Sequence, residues 1–153
     1  RDDVNFVAAR ELFQGITNSE FGVSRSMTRA MVSTVLARLT GVDTTPSAGE
    51  NWYDKGIAWA RQNGVSDGSN PNGAVTREQL ATMLYRYAGS PAVSGTLPFT
   101  DAHEVNLYAQ DALLWAVHNG IISGYQDGRV APKANAQRAQ VAALVARFLK
   151  GGL

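Results

Sequence analysis

Arg29, Arg77 and Arg138 stand at the same point of three similar segments, Met27-Thr28-Arg29-Ala30, Val75-Thr76-Arg77-Glu78-Gln79-Leu80 and Ala136-Gln137-Arg138-Ala139. In the second, Thr76 is a favourable N-cap and Gln79, three residues on, completes a capping box, which predicts a helix with Arg77 in its first turn. A helix N-terminus carries partial positive charge and favours anions, so a cation there is disfavoured unless it has a partner. Two partners fit: an anionic ligand met by the guanidinium and the helix end together, or a carboxylate of a neighbouring segment.

Other site chemistry finds little support. The chain has no cysteine, which removes thiol catalysis and thiolate metal sites. His103-Glu104 lacks the second histidine of a zinc-protease helix, and His118 is isolated, so both read as surface or packing residues. Asp127-Gly128 reads as a turn, because the ligand spacing of a calcium loop fails on both sides. Without a nucleophile and base, or a carboxylate pair in a cleft, the expectation is a protein that is not an enzyme and needs no cofactor or metal.

A net charge of +1 over 153 residues argues against a nucleic-acid partner, for which a clustered basic excess is expected. No apolar run approaches the ~18 residues of a membrane span, so membrane insertion is not expected. The chain begins at Arg1 without an initiator methionine, as a mature or trimmed segment would.

The elements that place the arginines repeat. Gly15, Gly68 and Gly124 align at intervals of 53 and 56 residues, and nine residues before each stands an aromatic, Phe6, Trp59 or Trp115, read as core. After each arginine runs an apolar stripe of helical period: Val32, Val35, Leu36 and Leu39; Leu80, Met83, Leu84 and Tyr87; Val141, Leu144, Val145 and Phe148. Each unit therefore reads as a helix ending at a glycine-bearing turn, a loop rich in Gly, Pro, Asn and Ser, and a second amphipathic helix opening near the arginine. The loops are Ile16 to Met27, Ser69 to Val75 and Tyr125 to Ala136, and the short linkers Thr40 to Asn51 and Gly89 to Thr100 join the units. Arg38, Arg86 and Arg147 recur nine residues after the first arginines, near helix C-termini where a cation is favoured, and read as structural.

Phe99-Thr100-Asp101, then Trp115-Ala116, Asn119-Gly120-Ile121 and Ser123-Gly124, followed by the arginine motif, resemble the S-layer homology repeat. The resemblance covers nearly the whole chain and implies an all-α, mainly helical fold. Three helix-loop-helix repeats would form one pseudo-threefold, three-pronged domain spanning 1–153, with repeats at 1–41, 42–89 and 97–150. The first repeat would be incomplete, its Phe-x-Asp and leading aromatic falling before Arg1. The second has no Phe-x-Asp, and the third reads Gln137-Arg138 where the motif has Thr-Arg.

The family likeness further implies an extracellular module at the bacterial surface or cell wall that binds a secondary cell wall polysaccharide, often carrying a pyruvate ketal, in grooves between repeats. Helix N-terminal amides and an arginine fork would converge on the ketal carboxylate, with an aromatic under the sugar ring. On that scheme one groove pairs Arg29 with Trp52 and a second pairs Arg77 with Asp101 and Tyr108, while Arg138 serves a third. The competing reading is a protein-interaction or self-association module on the same three-lobed surface.

Overall fold

The computed structural model describes residues 27–137 together with Val141. Four α-helices and two short 3-10 turns make up these residues: α1 (Arg29–Leu39), α2 (Asp54–Gln62), α3 (Arg77–Tyr87), the turns Ala102–Glu104 and Leu107–Ala109, and α4 (Gln110–His118). The fold is helical, as expected. Phe6, Arg138, Arg147 and the later stripe residues Leu144, Val145 and Phe148 lie outside the described residues.

Local sequence sets the helix ends. Thr76 Oγ1 accepts from the amide of Gln79 while Gln79 Oε1 accepts from the amide of Thr76, completing the predicted capping box of α3. In α1 Thr28 Oγ1 caps the amide of Met31. At the other end of α2, Gly64 takes a φ of 70° and lets Val65 N reach back to Ala60 O at 2.9 Å; Gly120, with a φ of 68°, lets Ile121 N reach Ala116 O at 2.8 Å. Both are six-to-one closures that need a residue free to enter the left-handed region, so a glycine ends each helix.

The periodic stripes pack as their spacing predicts. Val32, Val35 and Leu36 of α1 and Leu80, Met83 and Leu84 of α3 are buried, with Leu39 and Tyr87 at the edge of the core, and Val141 is buried at the matching position of the third unit. Helix α1 packs on α2 and α3 on α4. Gly56 marks the first crossing: a Cβ there would stand 2.8 Å from Thr34 Cα, so any larger residue would push α1 and α2 apart. Trp115 is buried, in line with the core reading, whereas Trp59 is only partly buried.

A ring of main-chain hydrogen bonds joins the units. Val75 N donates to Met27 O (2.8 Å), Ala136 N to Val75 O (2.9 Å) and Met27 N to Ala136 O (3.1 Å). Each of the three residues lies two positions before its unit's arginine, and all three are buried. Three equivalent residues donating head to tail in a closed cycle are the pseudo-threefold axis in atomic terms. No unit can complete its own share of the ring, so the units are interlocked.

Candidate functional site

The helix N-termini are where sequence placed an anion, and the structure corrects that expectation. Arg29 N donates to Gly73 O (3.0 Å) and Ala30 N to Pro71 O (2.8 Å); one unit on, Arg77 N donates to Ala134 O (2.8 Å) and Glu78 N to Pro132 O (3.0 Å). The loop of the following unit thus crosses the starts of α1 and α3 and occupies the amide donors that would otherwise face a ligand. Side-chain caps take the next amides, on Met31 and Gln79. Carbonyls of the protein itself play the anion's part.

Arg77 follows the same logic. Its side chain is 7% exposed, Nε donates to Val130 O at 2.9 Å and Nη2 to Ser123 O at 2.8 Å. The guanidinium also lies over the Tyr125 ring, 5.0 Å from its centroid. Asp101 meets the same peptide from the other side, since its carboxylate accepts from Val130 N and Ala131 N, each at 2.9 Å. Arg77 and Asp101 thus meet at Val130, whose C=O accepts from Arg77 and whose N–H donates to Asp101. Burial opposes ionisation of Asp101, but those two amides and the charge of Arg129 outweigh it and keep the carboxyl below the usual range.

Arg29 remains available to a cleft. Among the described residues only a long contact to Ser69 O (3.4 Å) engages its Nη1, and it lines a cavity of about 350 Å³ with Asp67, Gln79, Thr82, Arg86 and Tyr108. The cleft lies between the start of α1, the loop after α2 and the outer face of α3. Tyr108, half exposed, reaches it from the third unit, and its hydroxyl lies 3.5 Å from the Glu78 carboxylate. Trp52 does not line this cleft: it meets Tyr53 edge-on at 5.2 Å and packs against the core. Arg29 therefore shares a cleft with Tyr108 rather than with Trp52. The side chain of Arg138 lies outside the described residues.

Among the described residues the charge lining the cleft is net positive. Arg29 and Arg86 oppose one carboxylate, Asp67, whose pKa is lowered chiefly by the Ser69 hydroxyl and amide, with the charge of Arg29 adding to them. Arg86 is the residue that sequence reasoning missed, because a cation in the last turn of a helix already has a favourable dipole contact. A signal did exist: Arg86 is seven residues after Gln79, two helical turns along the same face.

His103 and His118 are exposed, and His103 approaches only its neighbour Glu104, at 3.9 Å, as their surface reading anticipates. Among the described residues no group of acidic and histidine side chains has the geometry of a metal site, and no helix is long and apolar enough to cross a membrane.

Helix-loop-helix units locked by their neighbours' loops define a repeat module with an open cleft between units. The sequence pattern of the S-layer homology domain matches residues 2–30 and 98–142, the first and third units. Two segments of the chain thus carry the S-layer homology domain pattern, found in proteins of the bacterial cell surface and cell wall. It is 26% identical to the S-layer protein of Bacillus thuringiensis subsp. finitimus over 95% of this chain and 20% of that protein. It is 27% identical to the amylopullulanase of Thermoanaerobacterium thermosulfurigenes over 98% of this chain but 9% of that protein. An undecaheme cytochrome from the S-layer of Carboxydothermus ferrireducens shares the fold, with a TM-score of 0.56 and 20% identity, covering 95% of this chain and 20% of the other. The chain thus spans a fifth or less of the length of these proteins. The S-layer homology domain is a non-catalytic anchoring module, and a relative with an enzyme's name is matched over a small part of its length.

Proposed function

We propose that this chain is a non-catalytic wall anchor that binds an acidic secondary cell wall polysaccharide in the cleft between its units. The observation that carries the proposal is the meeting of Arg29, Arg86 and Tyr108, drawn from three units, around one net-positive cleft. Two guanidiniums suit a carboxylate such as a pyruvate ketal, through charge-assisted forks, and an exposed phenol ring suits the C–H face of a sugar. Arg77 and Asp101 serve the fold instead, by fixing the loop of residues 123–131. Trp52 and Arg138 would belong to other inter-repeat grooves of the same module, whose units run 1–41, 42–89 and 97–150.

Purified wall sacculi provide the test. The chain should co-sediment with sacculi, lose that binding once acid extraction removes the polysaccharide, and lose about tenfold in affinity on Arg29→Ala, a change equivalent to about one charge-assisted hydrogen bond. Binding that survives extraction would refute the proposal. A protein-interaction or self-association module is the second reading, favoured by Leu107, which stands 86% exposed beside Tyr108. It predicts concentration-dependent oligomers that Leu107→Ser disperses.

A further inference from the structure

A second cleft, of about 340 Å³, lies beside the first and shares two of its walls, Val65 and Arg86. Its remaining lining is Thr40, Trp59, Asn63 and Tyr87. The rings of Trp59 and Tyr87 meet at 6.0 Å and 57°, Thr40 Oγ1 lies 3.3 Å from Tyr87 Oη, and the exposed Asn63 has its Nδ2 held by Trp59 O at 2.9 Å. We propose that this cleft is a second saccharide subsite, which takes a further sugar of the chain whose acidic end lies against Arg29. The inference rests on the glycan reading above.

Three features point to a sugar. The lining is that of a carbohydrate site: an aromatic pair for an apolar ring face, with an amide, a hydroxyl and a guanidinium for the hydroxyls around it. Arg86 stands in the wall between the two clefts, where one guanidinium can serve neighbouring rings of a continuous chain. The third unit supplies a contrast. Trp115 occupies the position in α4 that Trp59 occupies in α2, and there the indole is 3% exposed and packed at 5.6 Å on Tyr85. The same register therefore makes core in one unit and a cleft wall in the other, so helix packing does not require the indole of Trp59 to remain open.

Fragment length is the discriminating variable. The probe is wall polysaccharide from the producing bacterium, released with hydrofluoric acid and separated into single repeating units and longer fragments, titrated against the whole chain by calorimetry. The wild type should bind longer fragments more tightly. Trp59→Leu should weaken binding of the longer fragments by about threefold to tenfold, the scale of one lost ring-stacking contact, and leave the single unit unchanged. Asn63→Ala alters an exposed position and should act in the same direction without disturbing the fold, which keeps the test decisive should Trp59→Leu fold poorly. Arg29→Ala should weaken both lengths alike. Equal affinity of the wild type for both lengths, or equal behaviour of the wild type and both cleft variants on the long fragments, overturns the second subsite while leaving the first standing. Failure of the wild type to bind either length overturns both.

Discussion

Lys133 brings its Nζ to 2.8 Å from Glu78 Oε2, and the two side chains sit in very different surroundings, Lys133 being 48% exposed and Glu78 2%. The carboxylate also accepts from Asn106 N (3.0 Å), Asn106 Nδ2 (2.7 Å) and, at 3.5 Å, the Tyr108 hydroxyl, so one buried group of the second unit gathers four donors from the third. Alanine takes the equivalent place at Ala30 and Ala139, which makes this clasp specific to one of the junctions.

Removing Lys133 should therefore cost more than a surface ion pair. Lys133→Met would leave a buried carboxylate with neutral donors only, and a loss of ~1.5 to 3 kcal/mol is expected in denaturant unfolding, against under ~1 for an exposed pair. Glu78→Ala should cost at least as much and also release the segment 106–108 that presents Tyr108, lowering wall binding. A double-mutant cycle on Glu78 and Lys133 that shows no coupling would remove the clasp from the account.

Arg77 is expected to behave as a strut. Arg77→Ala leaves the carbonyls of Val130 and Ser123 without their donors, and ~2 to 5 kcal/mol of stability should go with them. Arg77→Lys should restore only part, because an ammonium cannot reproduce two directed contacts and the face-on approach to Tyr125. Glycan affinity per folded molecule should change little, in contrast to Arg29→Ala. An Arg77→Ala protein with wild-type stability and weakened binding would return Arg77 to the ligand site.

The sequence made some of this legible and hid the rest for a physical reason. Caps, apolar stripes and glycine turns are local, so Thr76 with Gln79, Leu80 with Leu84, and Gly120 could be read from spacing alone. The partners of Arg77 are main-chain carbonyls 46 and 53 residues away, and a carbonyl carries no signature of residue type. Grouping by repeat pairs Tyr108 with Arg77 and Asp101, whereas the cleft that Tyr108 lines gathers Arg29 and Arg86 across units.

Asp101 predicts an acid response. Its pKa is lowered in the folded state, so its contribution to stability is complete above the unfolded carboxylate value of ~3.9 and is lost as pH falls through the folded value. Melting temperature should decline below about pH 4. Asp67 and Asp127 are shifted the same way, so the wild-type slope is a sum, and the difference from Asp101→Asn isolates the one residue. The variant should start lower at neutral pH, having weakened its hold on the Val130 and Ala131 amides, and lose less on acidification. Parallel curves for the two proteins would show that Asp101 does not set the acid limit.

The hydrogen-bond ring of Met27, Val75 and Ala136 predicts how the whole chain unfolds. Because each unit's central strand-like segment donates to another's, and the starts of α1 and α3 are covered by the next unit's loop, a unit that melts would expose unpaired amides in its neighbour. Leu36→Ala and Leu84→Ala, at fully buried positions of α1 and α3, should each destabilise by ~2 to 5 kcal/mol, the range for a deleted core leucine. The informative quantity is the shape of the transition. Both variants should unfold in a single step with the denaturant slope of the wild type, and calorimetric and van't Hoff enthalpies should agree. A Leu36→Ala protein that melts in two steps, the second at the wild-type temperature, would mean that the first unit opens alone. The ring would then hold the units side by side without making them one cooperative structure.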